Sequence, residues 1–120
     1  HKAREWVACA ARAGAQLVVL PEMFASGFSM DTAKVAEPHD GPSTALLLEL
    51  ARTHEVHVCG SIAQRAVGDD GAQRPFNTLV LASPQGELHR YRKIHPFTFA
   101  KEHEYYAAGE SYLTVSIHGV

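Results

Sequence analysis

The run Leu17-Val18-Val19-Leu20, closed by Pro21 and followed at once by Glu22, restricts most strongly what this chain can fold into. Four consecutive branched apolar residues read as a short strand buried on both faces, and the proline removes the amide that would prolong its ladder. Such a strand belongs in the sheet of an α/β fold. Open α/β sheets place their chemistry at strand ends, where the next loop can fold over a ligand. A partly desolvated glutamate there suits the work of a general base. Taken alone, Glu22 reads more readily as a solvated or salt-bridged side chain, and the rest of the sequence must shift that reading.

Composition removes whole classes of function. A chain of 120 residues with 46% hydrophobic content suits one packed domain. Eleven Lys and Arg against thirteen Asp and Glu give a net charge of −2, and the basic residues are scattered, which argues against a nucleic-acid or anionic-membrane surface. No apolar run approaches ~18 residues and no charged-then-apolar leader is present, so neither a membrane span nor a secretory signal is expected. Cys9 and Cys59 fall in an expected helix and strand, consistent with small structural thiols in a reducing cytoplasm. The chain opens inside an apparent helix and closes on a turn at His118-Gly119-Val120, so residues 1–120 are expected to be part of a larger domain, truncated at both ends.

Periodicity places the elements. Ala3, Trp6, Val7, Ala10 and Ala13 recur at helical spacing, and Gly14 supplies the left-handed stop. Residues 25–42 mix Gly, Pro, Ser and Asp in a long loop behind Glu22, a kind of segment that usually carries function. A second helix is expected over 43–54, with Leu46, Leu47, Leu50 and Ala51 inward. Strands are expected over 56–63, 76–82 and 87–93, the last two joined antiparallel by the turn Ser83-Pro84-Gln85-Gly86. Residues 94–111 read as loop, and the alternation of Tyr112-Leu113-Thr114-Val115-Ser116-Ile117 predicts a final strand.

Two further stretches can carry chemistry. In Tyr91-Arg92-Lys93-Ile94-His95-Pro96-Phe97 a lysine ends a strand and enters a loop, where its ammonium can meet a carboxylate and a developing oxyanion. Lys101-Glu102-His103-Glu104-Tyr105-Tyr106 brings more carboxylates within reach. Separately, each is also an ordinary solvated loop.

Together, Leu-Pro-Glu-Met-Phe at 20–24, Tyr-Arg-Lys-Ile-His at 91–95, and Glu102 with Gly109 seven residues later resemble, in order and spacing, the nitrilase superfamily of carbon-nitrogen hydrolases. Lesser matches are Gly60-Ser61, Phe76-Asn77-Thr78 and Asp40-Gly41-Pro42. The resemblance covers essentially the whole chain. It implies the N-terminal part of an α-β-β-α sandwich with a mixed sheet, and a Glu-Lys-Cys site with a second glutamate. By position, Glu22 becomes the general base, Lys93 the cation facing the tetrahedral oxygen, and Glu102 the glutamate that positions the lysine. Neither Cys9 nor Cys59 matches the nucleophile, which is expected shortly beyond Val120, so this chain taken alone is expected to be inactive.

Within the superfamily, residues 23–30 and 101–106 look most like omega-amidases, which act on omega-amides of small 2-oxo dicarboxylic acids. Phe28 and Met30 are then candidates for a pocket wall, and Arg92 and His95 for holding the substrate carboxylate, although Arg92 on an alternating strand points away from Lys93. The resemblance implies no cofactor, and a homo-oligomer paired through the helices flanking the sheet. The competing reading is a non-catalytic or truncated member acting only through oligomerisation. A metal site is not expected: His95, His103 and His118 match no compact zinc spacing and no HExxH occurs.

Overall fold

Strand β2 (His57–Gln64) is the centre of the sheet and is buried at every position after His57, in a computed structural model that describes residues 2–120. It runs parallel to β1 (Leu17–Val19), with Val19 opposite Cys59, and antiparallel to β3 (Phe76–Ala82). A turn at 83–86, with Gly86 at φ 95°, reverses the chain into β4 (Leu88–Arg92). The result is a mixed four-stranded sheet in the order β1-β2-β3-β4.

Parallel neighbours need a crossover, and residues 20–56 supply it with α2 (Thr32–Val35) and α3 (Pro42–His54). Pro42 occupies the first turn of α3, where its missing N–H is no loss. The next amide, on Ser43, donates to Glu37 Oε2 at 2.8 Å, and the Ser43 hydroxyl donates to Oε1 at 2.5 Å. Helix α1 (Lys2–Arg12) packs on α3 and β1, tied to α3 at the surface by Arg4 and Glu49. Leu47, Leu50, Ala51, Ala3 and Val7 meet Val58, Ile62, Val80 and Ala82 in one core. Each fully buried branched side chain there stabilises the fold by on the order of 1.5–3 kcal/mol.

This core lies on one face of the sheet. Because side chains alternate, the other face carries Val19, Cys59, Ser61, Leu79, Leu81, His89 and Tyr91, and among the described residues no helix packs on these positions. One helical layer on one sheet is two of the four layers expected. The expectation that β1 is buried on both sides is corrected: Leu17 is 42% and Val19 65% exposed, because they point to the bare face. The expected strand over 112–117 is also corrected. That segment makes no ladder among the described residues and crosses the bare face, where Tyr112, Leu113 and Val115 flank Leu79, Leu81 and Tyr91. Its alternation reflects this one-sided contact. Trp6, placed on the inner face of α1 by spacing, is 53% exposed.

Candidate active site

The site is built where β1, β3 and β4 end on the bare face. Leu20 donates its amide to the Cys59 carbonyl at 2.8 Å, and Pro21 then has no N–H to offer, so the chain leaves the sheet at Glu22. The next residue is pinned: the Met23 amide donates to the Ser61 hydroxyl at 2.8 Å, and its side chain, 1% exposed, packs with Ala63 and Tyr106. Met23 holds a left-handed backbone (φ 52°) in doing so.

Lys93 follows β4 directly. Its amide donates to the Asn77 carbonyl at 2.8 Å, and its carbonyl accepts from the Gly109 amide at 2.9 Å. Gly109 is needed at this crossing, since a Cβ on it would lie 2.2 Å from the Arg92 carbonyl oxygen. Between Lys93 and Gly109 the chain makes a 3-10 turn at Thr98–Ala100 and the short helix α4 (Glu102–Tyr105). The seven-residue interval from Glu102 to Gly109 is thus the length that carries the chain from a buried carboxylate, along Phe76, back to the lysine's own backbone.

Four side chains close a ring. Lys93 Nζ lies 3.0 Å from Glu22 Oε1 and 2.9 Å from Glu102 Oε2. Opposite it, Asn77 Nδ2 donates to Glu22 Oε1 at 2.8 Å and to Glu102 Oε1 at 3.0 Å. Glu102 is fully buried and takes a third donor, the Phe97 amide, at 2.6 Å. Burial pushes its carboxyl up, but the Phe97 amide, Asn77 and Lys93 together hold it below its ordinary range. Burial likewise opposes charge on Lys93, yet the two carboxylates raise it above its ordinary value. Glu102 and Lys93 are therefore locked as an anion and a cation. Glu22, its side chain half exposed, is the carboxylate that faces the cavity. That cavity, about 330 Å³, is lined by Val19, Leu20, Glu22, Ser61, Asn77, Leu79, Tyr91 and Lys93.

The remaining candidates divide. Phe28 stands by the ring, its centroid 5.8 Å from Lys93 Nζ. Met30 packs against Met23, Ala63 and Tyr106, which makes it more a floor than a pocket wall. Arg92 is corrected out of the site: one residue from Lys93 on an alternating strand, it projects from the opposite face, its guanidinium 4.0 Å over the Phe76 ring. His95 is exposed and joins none of these bonds. Sequence reasoning assigned no role to Asn77 or Tyr106. An asparagine beside Thr78 in a strand that is apolar at its other positions was the available signal. Tyr106, 1% exposed, donates its hydroxyl to the Ser29 carbonyl at 2.7 Å, tying the loop behind Glu22 to the end of α4. Cys59 is buried and its thiol is pushed up by desolvation, while Cys9 is exposed on α1. Among the described residues no group of three or more His, Cys, Asp or Glu is arranged to hold a metal ion, and no helix is long and apolar enough to cross a membrane.

A carboxylate and an ammonium facing one apolar-walled cavity can respectively accept a proton and stabilise an oxyanion. The carbon-nitrogen hydrolase family profile matches residues 1–117. The chain is 35% identical over 101 residues to a nitrilase of Pyrococcus abyssi, covering 80% of this chain and 37% of that protein. It is 37% identical over 103 residues to the omega-amidase YafV of Yersinia enterocolitica, covering 86% and 38%. A solved CN-hydrolase superfamily protein of Xanthomonas campestris superposes with a TM-score of 0.81 at 36% identity, over 97% of this chain and 43% of that one. The chain therefore spans well under half the length of the relatives it matches.

Proposed function

The chain belongs to the carbon-nitrogen hydrolase family, and from that premise we propose that the protein carrying it hydrolyses the carbon-nitrogen bond of a small amide. The observation that carries this reading is the Lys93 ammonium seated between Glu22 at 3.0 Å and Glu102 at 2.9 Å on the wall of a cavity.

Amide hydrolysis of this kind needs a nucleophile, a base that takes its proton and later activates water, and a positive group facing the tetrahedral oxygen. Glu22 is the base. Lys93 has three N–H donors; two are engaged by the carboxylates, and the third serves the substrate oxygen as charge develops on it. Glu102, locked as an anion, positions the lysine and keeps it charged. The resemblance to the family implies a cysteine nucleophile lying beyond residue 120; the buried Cys59 thiol, raised by desolvation, is ill suited to supply the thiolate. The substrate is the omega-amide of a small 2-oxo dicarboxylic acid; the omega-amidase relative supports this, and Phe28, its ring 5.8 Å from Lys93 Nζ, stands near enough to meet it. Two free thiols support a reducing, cytoplasmic setting.

The test is turnover by the complete gene product on a panel of small amides that includes such an omega-amide. Glu22→Gln and Lys93→Met are each expected to lose at least ~100-fold while staying folded. Near-normal rates in either variant remove the role given to that residue. Absence of hydrolysis on every amide removes the reading.

A further inference from the structure

We infer that Asn77 is a positioning residue for the proposed hydrolysis: by holding one oxygen of Glu22, it leaves the other as the atom that takes the nucleophile's proton. This inference rests on Glu22 being the base.

Asn77 is 3% exposed, opposite Ala63 in the sheet, and its carbonyl is bonded to the Lys93 amide, so its backbone has little freedom. Its side-chain nitrogen carries two hydrogens and meets two carboxylate oxygens, Glu22 Oε1 at 2.8 Å and Glu102 Oε1 at 3.0 Å. That pairing also fixes which way the amide points, because the flipped form would set its oxygen against two anionic oxygens.

Two donors, Asn77 and Lys93, converge on Glu22 Oε1. A carboxylate oxygen bonded by a charged and a neutral donor is a poor proton acceptor. Oε2 accepts from neither of them, and the side chain is half exposed toward the cavity. The proton therefore goes to Oε2. Without Asn77, Glu22 would hang from Lys93 alone and could turn either oxygen, or neither, toward the nucleophile. Asn77 also does what a second cation could not. It bridges two anions as a neutral donor, so the ring keeps a single cation whose remaining N–H is left for substrate.

The experiment is a double-mutant cycle between Asn77 and Glu22 in the complete gene product, with the omega-amide of a 2-oxo dicarboxylic acid as substrate and thermal unfolding as the check on folding. Asn77→Leu, close in shape and without donors, is expected to lower kcat by roughly 30-fold or more and to leave KM within about threefold. In the Glu22→Gln background the same substitution is expected to change the residual rate by less than about threefold, because its effect passes through Glu22. Where Asn77→Leu fails to fold, Asn77→Ser takes its place in the same cycle. A kcat within threefold of the parent, or a full additional loss in the Glu22→Gln background, overturns the inference; the second result moves the effect of Asn77 from Glu22 to Glu102 and the lysine it holds. Normal turnover in Glu22→Gln by itself marks a different failure, that of the base assignment.

Discussion

Phe97 and Glu102 bond each other in both directions: the Glu102 amide donates to the Phe97 carbonyl at 3.1 Å, and the Phe97 amide donates to the Glu102 carboxylate at 2.6 Å. The loop leaving Lys93 is thereby clasped onto the one carboxylate of the site that water does not reach.

That clasp predicts how the fold responds to acid. Burial pushes the Glu102 carboxyl up, but its three donors outweigh this and hold it below its ordinary value of 4.5. A carboxyl depressed on folding contributes stability that is complete above the unfolded value and is lost as pH falls through the folded one. The unfolding midpoint of the complete gene product is therefore expected to drop as pH is taken below 4.5. Glu102→Gln is expected to flatten that descent and to destabilise the neutral protein by about 1–3 kcal/mol, because an amide N–H would then face donors. Lys93 works in the opposite sense. Raised above its ordinary value, it contributes stability that is present below that value and lost as pH climbs through its folded one. Thermal unfolding across pH checks both limbs, and an unchanged acid limb in Glu102→Gln rejects the first.

Gly109→Ala is expected to cost about 1–3 kcal/mol or more, because the new methyl would lie 2.2 Å from the Arg92 carbonyl oxygen and 2.7 Å from its Cβ. Backbone pressed on backbone has little room to give. The bond from Gly109 to Lys93 opens, and turnover falls along with stability. Denaturant midpoints and kcat measured side by side check this; a variant with normal values for both contradicts it.

Tyr106→Phe removes the hydroxyl donated to the Ser29 carbonyl and leaves that carbonyl without this partner. A loss of roughly 1 kcal/mol is expected, with the fold retained. The hydroxyl titrates only at about 12, lifted by burial and then by the Glu102 charge, so the difference between the two proteins is expected to stay constant across the neutral range. Chemical unfolding at several pH values measures it.

Much of the architecture was readable because strands announce their faces. The alternation in β3 and β4 already sets Arg92 against Lys93, and the structure keeps them on opposite sides, one over Phe76 and one in the ring. The proline after Leu20 marked the point of departure from the sheet. What could not be read were relations made only by tertiary contact. Glu102 looks like one residue of a charged, solvated run, yet it is wholly buried, because its donors come from Phe97, Asn77 and Lys93. Four-residue helices such as α2 and α4 have no propensity signal of their own, since a single turn is not stable alone. The alternating segment at 112–117 misled because the same pattern serves a chain lying along one apolar surface as well as a paired strand.

Met23 bends where a glycine would bend more easily. For a residue with a Cβ the left-handed conformation costs about 1–2 kcal/mol, and here it is maintained by the Ser61 hydroxyl on its amide and by a side chain packed against Ala63 and Tyr106. The residue directly behind Glu22 is thus held in a costly conformation by tertiary contacts, which restrict the backbone that carries the carboxylate. Sensitivity to substitution should accordingly reach one step behind the reacting groups, into a side chain that solvent scarcely touches.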